Sequence, residues 1–430
     1  METITHHIPG LILIDHEFNL PLDYSHPEGE QITIFARAVV APDKEKDDLP
    51  WLLFLQGGPG FGSPRPEERN GWLKRALKEY RVLLLDQRGT GRSMPVLTQT
   101  LLRLSNPQAQ AEYLKQFRAD SIVKDAESIR RELIGESGRW SVLGQSYGGF
   151  CAVHYLSVAP QSLREVMLTG GLPPLDHPLD EVYRHTYRRV SEKNQQYYQR
   201  YPDDILRAQR IAACLMEKEV QLPAGGILTP HRFQQLGIAF GASNGFEQVH
   251  YLLEEAFVDD RCGGELSYVF LRGCENSQPF DTNPIYAILH EALYCQQQAS
   301  NWSAERVRHE FPEFDLRQGN PVYFTGEMIY PWMFDEYQQL RPLKEAAQIL
   351  AIFQGWPRLY DRIALQENQV PCAAAVYYND MYVERIFSED AAAQIKNLRM
   401  WVTSQYEHNA LRAHGEDVLD KLLGLLHGEL

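Results

Sequence analysis

The sequence predicts an α/β fold: a mostly parallel central sheet covered by helices, with an inserted mainly helical cap domain. Three observations carry this expectation. Up to about Gly170 short apolar runs alternate with segments of helical periodicity, the signature of a helix-covered parallel sheet. From there to about Leu350 strand signals thin out, while tyrosines, glutamines and arginines multiply at helical spacing. Short apolar runs then return near Cys372 and Asn397. The chain therefore divides into residues 1–170, the first part of a core, residues 171–350, the cap, and residues 351–430, the second part of the core.

Each element has its own justification. Leu11 to Leu22 and Gln31 to Val40 are extended runs joined by a turn-rich Asp-Tyr-Ser-His-Pro-Glu-Gly stretch, which predicts an antiparallel hairpin at the head of the sheet. Leu52 to Gln56 is a buried strand running into Gly57-Gly58-Pro59-Gly60, and a helix is expected near Trp72 to Tyr80. Val82 to Asp86 is a second such strand. The charged loop after it holds Arg88, and Asp86 and Arg88 are residues to tie loops together rather than to do chemistry. Ile122, Val123, Ala126, Ile129, Leu133 and Ile134 fall on one face of a helix near Ser121 to Gly135. Arg139 to Leu143 reads as a strand, Phe150 to Val158 as a helix and Arg164 to Thr169 as a strand. In the cap, Val182 to Tyr198 and Pro284 to Gln298 have helical spacing. Cys372 to Tyr378 and Asn397 to Thr403 are the last strands, and Val418, Leu419, Leu422, Leu423 and Leu426 predict a closing helix.

The chemistry starts at Gly144-Gln145-Ser146-Tyr147-Gly148-Gly149, where a serine stands on a tight Gly-x-Ser-x-Gly corner between a strand and a helix. That is the pattern of a nucleophile elbow. A serine hydroxyl is a weak nucleophile, so it needs a base within hydrogen-bond reach and a carboxylate to orient that base. Both should lie at the carboxyl ends of late strands. Asp380 directly follows the strand ending at Tyr378, and His408 lies in the loop after the strand ending at Thr403. Rivals exist among 14 histidines, of which His414 and His427 are nearest, and among Asp361, Glu384 and Asp390 for the acid. Acyl transfer also builds negative charge on the former carbonyl oxygen, which preorganised N–H groups stabilise. Gly57 or Gly58 is expected to supply one donor and Tyr147 the other.

Composition excludes several classes. A formal charge of −15 and the lack of a basic stripe argue against a nucleic-acid partner, and would attract a cationic substrate. No apolar run reaches the length of a membrane span, and the N-terminus lacks the basic and apolar regions of a secretion signal, so a cytoplasmic protein is expected. Six cysteines (Cys151, Cys214, Cys262, Cys274, Cys295 and Cys372) are scattered without paired spacing, which argues against a zinc site or a disulfide framework. No metal or organic cofactor is expected.

With these residues in hand, the chain resembles the prolyl aminopeptidase (proline iminopeptidase) family of α/β-hydrolase serine peptidases. The marks are Gly57-Gly58-Pro59-Gly60, Asp86-Gln87-Arg88-Gly89-Thr90-Gly91-Arg92-Ser93, the Ser146 elbow, Asp380 and His408. One departure is Gln56, where many members carry histidine. The resemblance implies an α/β-hydrolase fold and release of an N-terminal residue, preferentially proline, from peptides with a free N-terminus. It also implies that cap glutamates hold the substrate amine. Glu327, in Thr325-Gly326-Glu327-Met328-Ile329-Tyr330-Pro331-Trp332, matches one such segment, while Glu336, Glu345 and Glu384 stay open for a second. Phe61, Tyr147, Tyr330 and Trp332 are candidates for the niche that takes the first ring. The alternatives are a carboxylesterase or other hydrolase acting on small esters or amides, and a non-catalytic relative that only binds.

Overall fold

In the computed structural model, which describes residues 3–259, 264–317 and 319–429, nine strands form one sheet. They are β1 (Thr3–Ile8), β2 (Leu11–Pro21), β3 (Gln31–Val40), β4 (Trp51–Leu55), β5 (Arg81–Leu85), β6 (Trp140–Gln145), β7 (Leu163–Thr169), β8 (Cys372–Tyr377) and β9 (Leu398–Thr403). Their order is β1-β2-β3-β5-β4-β6-β7-β8-β9. The pairings from β1 through β3 to β5 are antiparallel and all the others are parallel. The mostly parallel sheet and the leading hairpin of β2 and β3 therefore stand as expected. β1 was not anticipated: its Thr-Ile-Thr-His-His-Ile sequence is mostly exposed, and it joins through backbone pairing to β2 rather than through an apolar face.

Alternate residues of each central strand feed two separate cores, because successive side chains point to opposite faces. Leu53, Leu55, Leu83, Leu85, Val142, Val166, Leu168 and Ala374 face one way, onto the helices Ala119–Ile134 and Tyr147–Val158. Leu52, Phe54, Val82, Leu84, Leu143, Met167, Ala373 and Ala375 face the other, onto Gly71–Ala76 and the closing helix Gly415–His427. Coverage on both sides explains why these strands are continuous apolar runs rather than alternating ones. Fully buried leucines such as Leu419 and Leu422 each contribute about 1.5–3 kcal/mol of transfer free energy to this packing.

Asp86 and Arg88 tie loops together. Asp86 accepts from the N–H groups of Ser63 and Arg92, each at 2.8 Å, and pairs with Arg65. The buried Arg88 pairs with Asp125 at 2.6 and 2.7 Å and donates to the carbonyls of Leu22 and Gln116 at 2.8 Å.

Between β7 and β8 the described residues contain helices, turns and two isolated bridges but no strand of the sheet. The longest helix here is Leu179–Arg200. Pro284 to Gln298, expected as one helix, breaks into Pro284–Ile288 and a 3-10 turn at Glu291–Leu293. Arg118 pins this segment to the core, donating to the carbonyls of Ala292 and Cys295 at 3.0 and 2.9 Å. Cys151, Cys274, Cys295 and Cys372 are buried free thiols and Cys214 is partly buried and free, while Cys262 lies outside the described residues.

Candidate active site

Loops at the carboxyl ends of β4, β6, β8 and β9 meet at a cavity of about 770 Å³, the place where a parallel sheet gathers a ligand. Gly57, Gly58, Phe61, Ser146, Glu327 and His408 all line it.

Ser146 follows β6 at once and has φ +55° and ψ −124°, a conformation that costs a non-glycine residue about 1–3 kcal/mol. Neighbouring bonds hold it there: its N–H donates to the Thr169 carbonyl at 3.0 Å, and its carbonyl accepts from the Gly149 N–H at 2.7 Å. The turn leaves Ser146 half-buried among fully buried neighbours, with its side chain at the cavity wall. Gly57 packs directly against it, and a methyl group at Gly57 would stand 2.9 Å from Ser146 Cβ. The loop after β4 thus reaches the nucleophile only because Gly57 has no side chain. Tyr147 opens the next helix, where its N–H has no intrahelical carbonyl to serve. Gly57 and Tyr147 thus both adjoin Ser146, one packed against its side chain and the other next to it in sequence.

His408 Nδ1 lies 2.7 Å from Asp380 Oδ2, and both residues are buried. The other oxygen of Asp380 accepts from the N–H groups of Tyr382 and Val383 at 2.9 and 3.1 Å, which fixes the carboxylate. This arrangement makes Nδ1 the protonated nitrogen and leaves Nε2 as the acceptor. Burial pulls the His408 pKa down, but the charge and hydrogen bond of Asp380, with help from Glu327, overcome it and hold it above the usual histidine value. Gly170 and Gly171, after β7, connect the histidine to the serine: a methyl group at Gly170 would stand 3.0 Å from His408 Nδ1, and one at Gly171 would stand 2.5 Å from the Ser146 carbonyl.

Glu327 accepts a hydrogen bond from the Tyr286 hydroxyl. Burial pushes its carboxyl up to about 7, against the lowering effects of Tyr286 and His408. A carboxylate with so few partners in a desolvated wall is poised for a cation. Phe61 meets Tyr286 edge-on, with ring centroids 5.0 Å apart, so the two rings form an apolar niche beside Glu327.

Several expected residues lie elsewhere. Tyr330 does not line the cavity: it stacks on Trp332 at 5.2 Å and shares a hydrogen bond with Tyr187 at 2.9 Å. Trp332 is likewise outside the lining, as is the buried ring of Tyr147, which packs on Phe150. Of the glutamates left open for a second amine anchor, Glu384 is locked to Arg189 by two bonds of 2.9 Å, Glu336 accepts from Thr229 at 2.5 Å, and Glu345 is exposed; none lines the cavity. His414 and His427 are exposed, Asp361 caps the helix Arg362–Gln366, and Asp390 pairs with His177 at 3.2 Å.

Sequence reasoning missed Tyr286 and Tyr382. Tyr382 sets its ring edge-on to His408 at 4.7 Å, and its N–H holds Asp380. Its position two residues after a strand-end aspartate was the available signal, since such a carboxylate bonds N–H groups just downstream. Two ion pairs from the helix Leu179–Arg200 also brace the site: Arg189 with Glu384 and Lys193 with Glu407 at 2.6 Å, adjoining the loops of Asp380 and His408.

Known proteins resemble this chain in fold family and in sequence. The family described as the alpha/beta hydrolase fold matches residues 50–212. A proline iminopeptidase of Aeromonas sobria is 51% identical over 97% of this chain and 97% of its own length. The proline iminopeptidase aneH of Aspergillus aculeatus is 38% identical over 95% of this chain and 92% of its own. A solved proline iminopeptidase of Mycobacterium smegmatis aligns with a TM-score of 0.45 at 13% identity, over 96% of this chain and 98% of its own. On the identity and coverage of the first two relatives, the chain belongs to the proline iminopeptidase family of α/β-hydrolase-fold enzymes.

Proposed function

We propose that the protein is a serine aminopeptidase that releases an N-terminal residue, preferentially proline, from peptides through an acyl-enzyme. The observation that carries this reading is Glu327: a carboxylate facing the cavity of Ser146 and His408, beside the rings of Phe61 and Tyr286. A plain esterase has no need for an anionic group beside its acyl pocket, whereas a free secondary amine does. The names of the Aeromonas sobria and Aspergillus aculeatus relatives support proline as the preferred first residue.

The mechanism follows from the residues. Glu327 holds the substrate ammonium and the Phe61–Tyr286 niche takes the ring, which brings the first carbonyl over Ser146. His408 takes the Ser146 proton at Nε2 as Oγ attacks that carbon, and Asp380 stabilises the imidazolium. The oxyanion receives N–H bonds from Tyr147 and from Gly57 or Gly58. His408 then gives its proton to the departing nitrogen, the C–N bond breaks, and an ester to Ser146 remains. Water, deprotonated by His408, attacks the ester and releases the amino acid with Ser146 restored.

Residues 171–350 act in this reading as a cap that closes the amine end of the cavity and blocks N-terminal extensions. Free buried thiols fit a reducing cytoplasm. Among the described residues, no helix is long and apolar enough to cross a membrane. A panel of aminoacyl arylamides with N-acetylated controls tests the proposal: prolyl arylamide is cleaved fastest and its acetylated form is not, while equal cleavage of acetylated substrates or of uncharged esters overturns it.

A further inference from the structure

The cavity wall contains one cation among the described residues, Arg412. It sits on the short helix Ala410–Ala413, four residues past His408, and is exposed. The other cations around the site are spent: Arg189 is paired with Glu384 and Lys193 with Glu407. Among the described residues Arg412 stands in no ion pair, although it also lines a second hollow together with Glu67 and Glu68. It is close enough to the site to oppose the charging of His408 and to favour that of Tyr382.

The mechanism places the leaving group on this side. His408 delivers a proton to the departing nitrogen, so the residue behind that nitrogen lies next to His408, in the cavity that Arg412 also lines. A peptide extends by about 3.5 Å per residue, so the terminal carboxylate of a di- or tripeptide stays within about 4–10 Å of the scissile bond. Glu255, exposed on the same cavity wall, repels a carboxylate from its own end. The cavity thus offers an anion for the substrate amine and a cation for a nearby carboxylate, the charge pattern of a short zwitterionic peptide.

We propose that Arg412 is a specificity-determining residue that binds the C-terminal carboxylate of the substrate, making free di- and tripeptides the preferred substrate class. The proposal rests on the aminopeptidase reading above. It is tested by the ratio of kcat/KM for Pro-Ala and Pro-Ala-Ala to that for the same peptides amidated at the C-terminus, with prolyl arylamide as a separate substrate. Wild type favours the free acids about tenfold, the value of one charge-assisted bond, and the preference shrinks with added salt. In Arg412→Gln the ratio collapses to about one, and Arg412→Lys, which keeps the charge but loses the fork, retains part of it. A role confined to folding or to tuning His408 lowers acids and amides alike and leaves the ratio standing, which overturns the proposal. So does a wild-type enzyme that ignores amidation. Failure to cleave prolyl arylamide overturns the aminopeptidase reading instead, whereas cleavage without carboxylate preference overturns the role of Arg412 alone.

Discussion

Replacing Glu327 with glutamine removes one negative charge from the cavity wall while keeping side-chain size and the capacity to accept from Tyr286. A charge-assisted bond from carboxylate to ammonium contributes about 1.5–3 kcal/mol net, so kcat/KM for prolyl arylamide falls about 10- to 150-fold. The amine is held equally in ground and transition states, so the loss falls mainly on KM. A simple ester with no amine loses little. The pH profile moves as well. With its carboxyl pushed up to about 7, Glu327 must lose a proton before it binds the amine, and His408 must be neutral to act as base. Both requirements place activity on the alkaline side of an acid limb. In the variant that limb belongs to His408 alone, and it moves to lower pH because Glu327 no longer helps to raise the histidine. Stability shifts in the opposite sense to activity. The folded pKa of Glu327 exceeds its unfolded value of about 4.5, so the stability of the wild type is fully present below 4.5 and declines as pH rises through about 7. Glutamine escapes this loss, so the melting temperature of the variant gains on the wild type between pH 5 and 8. Steady-state assays with the arylamide and the ester, combined with thermal melts across that range, read all three effects. Equal losses on both substrates, an unmoved acid limb, or a melting-temperature gap that does not widen with pH would refute the reasoning.

Three more outcomes follow from particular contacts. Gly57→Ala puts a methyl group 2.9 Å from Ser146 Cβ and shifts the loop beside the nucleophile; kcat falls about 100-fold, and the overpacking costs about 1–3 kcal/mol in urea denaturation. Asp380→Asn removes the charge that holds His408 in its working tautomer and lowers kcat about 10⁴-fold in stopped assays, with the acid limb displaced to lower pH. Asp125→Ala strands the buried Arg88 guanidinium without its carboxylate and costs about 3–5 kcal/mol in urea denaturation, more than the paired change Arg88→Met with Asp125→Leu.

The central strands were legible because each is buried on both faces, which writes a continuous apolar run into the sequence, and their ends pointed to Ser146, Asp380 and His408. The edge strand β1 was not, since its pairing is a backbone matter that leaves no apolar trace in Thr3–Ile8. The stretch between β7 and β8 was read less well for a different reason. Glu327, Tyr330 and Trp332 share one irregular segment, and in such a segment neighbours in sequence need not face the same way. Glu327 turns to the cavity, whereas the two aromatic rings stack on each other. Tyr286 lay inside a stretch read as one helix, and the break after Ile288 is set by tertiary packing rather than by helix-breaking residues. Arg412 carried no pattern, because a lone arginine on a short helix gains meaning only from the cavity wall it joins.

The central claim is that Ser146 and His408 act as one catalytic unit. It is tested most directly by kcat for prolyl arylamide in Ser146→Ala, His408→Ala and the double variant, each checked for an unchanged melting curve. The account predicts that either single change removes about as much activity as both together, because half of a proton relay does nothing. Losses that multiply, or a Ser146→Ala protein that still turns over, would contradict it.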